Sequence, residues 1–288
     1  MHRIVGEQCE ALRRNGSADL SDLSFRVSAG VAAEVIGLTE GRGDLTRRIQ
    51  RFFDDIPHGT ARGLRGMREQ SRAIGVNVAF YLRDIRPNVA ARRRRRRDDL
   101  ISHLIDAGRS TMEIMTEIVT YAGAGMVTTR EFITVAAWHL FEDDALRTRY
   151  PAAGEPERHA ILHEILRLEP VVGTISRRTT APMDLAGRAV PAGTLVDVEV
   201  TSVNADPAAA GEQPDTVCPG RDLGAGLSFG DGAHRCPGAH LAIQESDIFL
   251  ARLFAMPGVR MTRRPEVRIQ PMVAAYERTG LRVSVDPA

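Results

Sequence analysis

The sequence predicts a mainly α chain with small β-sheets, and three observations carry that expectation. Apolar residues recur at three- and four-residue intervals over most of the length, a few short stretches alternate apolar with polar, and Gly or Pro stands between the periodic runs. The 288 residues would allow two domains on length alone. The motifs interlock around one site, so a single domain over 1–288 is expected.

In order, Arg3 to Arg13, Leu20 to Ile36, Leu45 to Ile56 and a long stretch from Leu64 to Val89 favour helix, punctuated by Gly37, Gly41, Gly43, Pro57 and Gly59. Six consecutive arginines, Arg92 to Arg97, precede Asp98 and Asp99, which start a helix carrying Leu100, Ile101, Leu104 and Ile105. The ordinary reading of the run is a solvated junction between helices. A nucleic-acid patch would call for interleaved aromatics, which are missing here, and docking of an acidic electron donor is the third reading. Helix is then expected from Thr111 to Phe141, from Arg158 to Leu168 and from Ala239 to Phe254. Val196, Val198 and Val200 alternate with Asp197 and Glu199 after a Pro-Ala-Gly turn, as in a hairpin strand. Val267 to Ile269 and Leu281 to Val285 suggest a minor sheet.

Composition excludes more than it assigns. Lys and Arg number 38 against 37 Asp and Glu, a formal charge of +1, so no global field argues for nucleic acid. Cys9, Cys218 and Cys236 form an odd set without metal-ligand spacing, the pattern of a reducing compartment. The stretch from Met1 to Glu7 carries no apolar leader, and no segment approaches a membrane span. A cytoplasmic chain without membrane or nucleic-acid partner is expected.

Chemistry concentrates around Cys236. It sits in Phe229, Gly230, Asp231, Gly232, Ala233, His234, Arg235, Cys236, Pro237, Gly238, a glycine-punctuated loop opening onto a helix. Glycines let backbone approach a flat macrocycle where any Cβ would clash, and the helix start favours an anionic sulfur. A lone cysteine in such a loop is also compatible with a plain turn beside a small thiol. The spacing of Phe, Gly, Gly, His, Cys and Gly resembles the cysteine-loop signature of the cytochrome P450 family. Three further segments match that family in its own order.

Glu164, Ile165, Leu166, Arg167 is the first, and its charges at i and i+3 share a helix face. Alone this is an ordinary surface pair; the resemblance implies a buried triad completed by Arg221. The second runs from Arg177, Arg178, Thr179 and Thr180 through Gly187 and the strand Leu195 to Val200 to Asn204, Asp206, Pro207. The resemblance implies that Arg177 and His234 hold haem propionates. The third is Ala124, Gly125, Met126, Val127, Thr128, Thr129 within the long helix. There the resemblance implies that Gly125 opens an oxygen groove and Thr128 orients a relay water, although a mid-helix Thr ordinarily bonds back to its own i−4 carbonyl.

The resemblance implies a cytochrome P450-like fold and a haem-thiolate monooxygenase. Haem b would be ligated through Cys236 and flanked by Phe229, Gly230, Gly232 and Gly238. Such an enzyme uses O2, a small organic substrate and a ferredoxin-like or flavin-containing electron donor. Val171, Val172, Gly173, Thr174 and the turn Met272 to Ala274 would face the cavity. Two departures stand out. Val127 occupies the place of the family's usual acid and carries no proton, leaving water or Glu131, four residues on, as the alternative source. Val217 stands where an aromatic usually packs. The resemblance also starts at about the family's fourth major helix, with the front of the fold absent, so a catalytically inactive remnant is the competing expectation.

Overall fold

Residues 1–40, 45, 47–49, 63–221, 226–270 and 275–286 are described by the structure, a computed structural model. The expected helix Leu45 to Ile56 falls mostly outside them, as do Gly41, Gly43, Pro57, Gly59 and the turn Met272 to Ala274. The described chain is helical with four small antiparallel sheets. It divides into two compact units: Met1 with Phe25–Val127, and His2–Ser24 with Thr128–Ala288. No described helix is long and apolar enough to cross a membrane.

In the first unit the apolar stripe of the helix Thr111–Glu142 does the organising. Ile114, Ile118, Ala122 and Met126 follow one another at four-residue intervals, so they share a face, and all four are buried in one core with Ile36 and Ile101. Ser28 Oγ donates to the Met126 carbonyl at 2.9 Å, holding the helix Leu20–Ile36 against this stripe.

The expected continuous helix Leu64 to Val89 is interrupted. Gly63–Phe80 passes into a π-helical segment, Tyr81–Ile85, before α-helix resumes over Arg86–Arg94. The wider turn goes with an inward Asp84, which Arg48 Nη2 meets at 2.6 Å, and with Asn88, whose amide donates to the Asp84 carbonyl at 2.6 Å.

The arginine run also departs from the expected solvated junction, because Arg92 is 1% exposed. Its guanidinium donates to the Asp99 carboxylate, to the Gly37 carbonyl at 3.0 Å and to the Thr39 hydroxyl at 2.7 Å. Asp99 also caps its helix, accepting from the Ser102 amide at 2.9 Å. Gly37 permits this approach: it has φ +98°, and a Cβ there would lie 2.6 Å from an Asp99 oxygen. Arg96 pairs instead with Asp106 at 2.6 Å, so the run is split among separate partners and is no uniform basic patch.

In the second unit, residues distant in sequence meet. The strand Ser17–Asp19 pairs with Arg282–Ser284, which in turn pairs with Arg260–Arg263, and the helix His2–Asn15 packs on Ala239–Phe254. Burial pushes the Cys9 thiol up to about 11, against the pull of Arg252, which marks this cysteine as inert. The hairpin Thr174–Arg178 with Leu195–Glu199 has the expected alternation, Val196 and Val198 being half-buried between exposed neighbours. It ends one residue early, since Val200 opens the short helix Val200–Asn204. Smaller hairpins join Met183–Leu185 to Arg188–Val190 and Glu266–Gln270 to Ala275–Thr279.

Candidate functional site

The cysteine loop rests on the helix Glu155–Leu168. On it, Glu164 is 2% exposed and Arg167 fully buried, and the spacing of three lets one guanidinium fork a carboxylate. Arg167 Nε donates to Glu164 Oε1 at 2.8 Å and Nη2 to Oε2 at 3.1 Å, while Arg221 Nε reaches Oε2 at 3.2 Å. The structure thus brings Glu164, Arg167 and Arg221 together. A fourth member escapes the sequence: the Cys218 amide donates to Glu164 Oε2 at 2.9 Å. Burial works against the Glu164 charge, yet the Arg167 bond, the Cys218 amide and Arg221 together hold its carboxyl below the usual range.

The remaining donors of both arginines fasten the chain between 204 and 221. Arg167 donates to the Asn204 carbonyl at 2.7 Å and the Thr216 carbonyl at 3.1 Å; Arg221 donates to the Glu212 carbonyl at 3.1 Å and the Gln213 carbonyl at 3.0 Å. Asn204, expected only as a turn residue, is buried. Its amide donates to the Arg167 carbonyl at 3.1 Å and to Ser228 Oγ at 2.9 Å, and its Oδ1 accepts from the Leu227 amide at 2.8 Å. Ser228 Oγ donates onward to the Leu166 carbonyl at 2.8 Å. Gly226 lies against this amide at φ +54°, where a Cβ would come within 2.4 Å of Asn204 Oδ1. A tripeptide ahead of the cysteine loop is thereby pinned to the buried helix.

From that anchor the loop turns outward. Gly230 and Gly232 adopt φ of +66° and +64°, and the Cys236 amide closes the turn on the Phe229 carbonyl at 2.8 Å. Asp231 through Pro237 are exposed, the Cys236 thiol is free, and a Cβ on Gly232 would meet nothing within 4 Å. The helix Ala239–Phe254 begins three residues after the sulfur. Phe229 stands edge-on to His163, with ring centroids 6.5 Å apart, and burial pulls the His163 imidazole below its ordinary pKa with help from His159. His234 is exposed in a short 3-10 turn, and Arg177 is exposed on its strand, where Nη1 donates to the Ser176 carbonyl at 2.9 Å. Among the described residues no hydrogen bond joins Arg177 or His234 to Cys236.

On the long helix Gly125 faces open space, with nothing within 4 Å of a would-be Cβ, and Thr128 is half-buried. Glu131 is buried too, but its carboxylate accepts from Arg130 Nε at 2.9 Å and from the Arg278 amide at 3.1 Å. Burial nevertheless raises its carboxyl above the ordinary value. These bonds engage both of its oxygens.

Sequence reasoning overlooked a second buried acid. Glu245 sits four residues from both Leu241 and Phe249, on an apolar stripe of its helix, and that misplaced polarity was the available signal. Burial pushes its carboxyl up to about 8, against the opposing pull of the Thr129 side chain. Asp247, on the next face, accepts from the Tyr150 hydroxyl at 2.8 Å and from Arg158 Nε at 2.7 Å, cross-linking three helices.

Comparison with known proteins follows the same geometry. Residues 158–265 match the model of the family described as Cytochrome P450. The chain is 32% identical over 272 residues to the erythromycin C-12 hydroxylase of Saccharopolyspora erythraea, covering 88% of this chain and 64% of that protein. It is 32% identical over 274 residues to the cyclomarin C epoxidase CymV of Salinispora arenicola, covering 87% and 64% respectively. The chain thus spans a little under two thirds of these relatives. Among solved structures, CYP109E1 from Bacillus megaterium in complex with corticosterone superposes with a TM-score of 0.84 at 24% identity, over 99% of this chain and 76% of that one. P450BioI in complex with an acyl carrier protein gives 0.82 at 21% identity, over 99% and 73%. With the cysteine loop carried on a buried Glu-Arg-Arg cluster and this set of relatives, the chain belongs to the cytochrome P450 family.

Proposed function

We propose that the chain forms the haem-binding part of a monooxygenase, with haem b held through Cys236. The observation that carries this reading is the free, exposed thiol in an open glycine loop tied to a buried ion cluster. The residues present fit the group: a glycine surface without Cβ obstruction can lie flat against a macrocycle, and the exposed Arg177 guanidinium and His234 ring N–H are donors suited to its two propionates. When bound, haem supplies the iron at which O2 is reduced, and a thiolate ligand favours O–O cleavage.

The chain's own residues divide the remaining work. Phe229, Gly230, Gly232 and Gly238 shape the surface around the sulfur. Gly125 leaves room along the long helix, and Thr128 orients water there. Glu164, Arg167 and Arg221 hold the loop in place. The substrate is a small organic molecule, and the hydroxylase and epoxidase relatives favour oxygen insertion at C–H or C=C. Val171, Val172 and Thr174 are half-buried at the head of the hairpin and supply apolar lining. A ferredoxin-like or flavin-containing protein donates the electrons.

Cys236→Ala tests the reading. The haem-loaded chain is expected to show the strongly red-shifted Soret band of a thiolate-ligated carbonyl adduct on reduction under carbon monoxide, and the variant to lose it entirely. Persistence of the band in the variant would move the ligand to Cys9 or Cys218.

A further inference from the structure

We propose that the helical run from Gly63 to Arg94 carries a docking seam for an acidic amphipathic helix of another protein. The inference stands apart from the monooxygenase reading, since it concerns residues of the first unit alone. Met67, Ile74, Val78 and Leu82 are between 49% and 65% exposed. Large apolar side chains scattered singly over a surface need no explanation, but these four form a row. They follow at intervals of seven, four and four, with the small Ser71 four residues after Met67, so they line one face over about 22 Å.

The π-helical segment Tyr81–Ile85 keeps the row in line. In an unbroken α-helix Leu82 would stand about 60° round from Met67. A π turn takes more residues to close, so each residue turns the chain less, and Leu82 comes back over Val78. Alternation of three- and four-residue steps along one face is the pattern by which one helix packs lengthwise on another.

Charge decides what kind of helix fits. Arg68 and Arg72 stand about 100° and 140° round from Met67, on one edge of the row, and Gln70 and Asn77 lie on the other. Arg83 and Arg86, both exposed, follow past the π turn. The acids of the sequence between 66 and 86 are Glu69 and Asp84, and Asp84 is turned inward to Arg48 at 2.6 Å. An apolar seam with a cationic edge complements a helix whose own seam is edged by Asp or Glu. A second copy of this chain fits less well: packed antiparallel it sets arginine against arginine, and packed parallel it sets arginine against Gln70 and Asn77. A lipid surface also fits less well, because helices lying on membranes bury a broad face rich in Trp, Phe and Leu. This row is one side chain wide and has Ser71 within it.

Fluorescence anisotropy with two labelled helical peptides tests the seam on the full 288-residue chain. Both peptides carry leucine at alternating three- and four-residue steps; glutamate flanks the leucines in one and lysine in the other. The glutamate peptide is expected to bind about tenfold more tightly or better at low salt, and to lose most of that advantage at about 1 M salt, where screening is complete within about 3 Å. Ile74→Asp puts a charge in the middle of the seam and is expected to weaken the glutamate peptide by about tenfold or more. Arg68→Glu combined with Arg83→Glu should reverse the preference, so that the lysine peptide binds better. Arg188→Glu combined with Arg282→Glu makes the same change of net charge at exposed strand positions of the second unit, and should leave the preference as in wild type.

Equal binding of the two peptides, or an unchanged Kd in folded Ile74→Asp, overturns the proposal. A reversal by the Arg188→Glu, Arg282→Glu control overturns it as well, since net charge alone would then be at work. Sedimentation with phosphatidylglycerol vesicles that Ile74→Asp abolishes, without peptide binding, overturns it in favour of a lipid surface. A wild-type dimer that the same substitution dissolves overturns it in favour of a second copy. If Ile74→Asp does not fold, the charge reversal at the exposed Arg68 and Arg83 decides.

Discussion

Glu164→Ala is expected to cost the second unit about 3–5 kcal/mol and most of its haem uptake, because it strips the shared partner from the buried Arg167 and the half-buried Arg221 at once. Arg167 is fully buried, and without Glu164 its acceptors among the described residues are the Asn204 and Thr216 carbonyls. The Cys218 amide loses its acceptor as well. The damage is not confined to the cluster. Asn204 and Ser228 tie the start of the cysteine loop to the backbone of the same helix, so loosening the segment between 204 and 221 loosens the platform beneath Cys236. Denaturant unfolding and the haem-to-protein ratio measure the two effects. An unfolding midpoint within error of wild type would show that the cluster is not holding the loop.

The same cluster predicts an acid limit. The Glu164 carboxyl is lowered in the folded chain, so the stability it contributes is complete above the ordinary carboxylate value near 4.3 and is lost as pH falls through the lowered one. Glu245 has the opposite sign. Its raised carboxyl keeps a proton that the unfolded chain releases, so stability should fall as pH climbs from about 4.3 to about 8 and level off beyond. Glu245→Gln should flatten that slope while leaving the acid limit where it is.

Regular elements were legible wherever periodicity was long and unbroken. Leu20–Ile36 and Ala239–Phe254 carry apolar stripes bounded by clear stops, and both run over the residues the pattern marks. The π-helical turn Tyr81–Ile85 left no such mark, since one extra residue in a turn shifts the pattern less than ordinary variation does. Among site residues, Cys236, Glu164 and Arg167 stood out by spacing. Asn204 and the Cys218 amide did not, because their roles lie in backbone bonds that join segments far apart in sequence, and no local pattern records those. Six adjacent arginines read as one charged object, although the helix Arg86–Arg94 turns Arg92, Arg93 and Arg94 by about 100° each and ends before the other three.

That last point carries the second large effect, Arg92→Ala. The substitution leaves the Asp99 carboxylate buried without the Arg92 cation, removes the Arg92 donor from the Gly37 carbonyl, and leaves the Thr39 hydroxyl with Arg97 Nη1 at 3.3 Å. Burial opposes the Asp99 charge, and the bonds from Arg92 and Ser102 hold its carboxyl below the ordinary range, so removing Arg92 takes away the larger of those supports. A loss of about 3–5 kcal/mol is expected from the first unit. Arg93→Ala provides the contrast: one position along, the side chain is exposed, bonding among the described residues to the Thr111 hydroxyl at 3.1 Å, and its removal should change stability by no more than about 0.5 kcal/mol. Arg92→Lys keeps the charge but not the fork that serves Asp99, Gly37 and Thr39 together, so it should recover less than half of the loss. Unfolding midpoints of the three variants decide the matter. Equal losses from Arg92→Ala and Arg93→Ala would mean that the run acts through its total charge; a steep difference between neighbours would mean that one buried arginine acts through its partners.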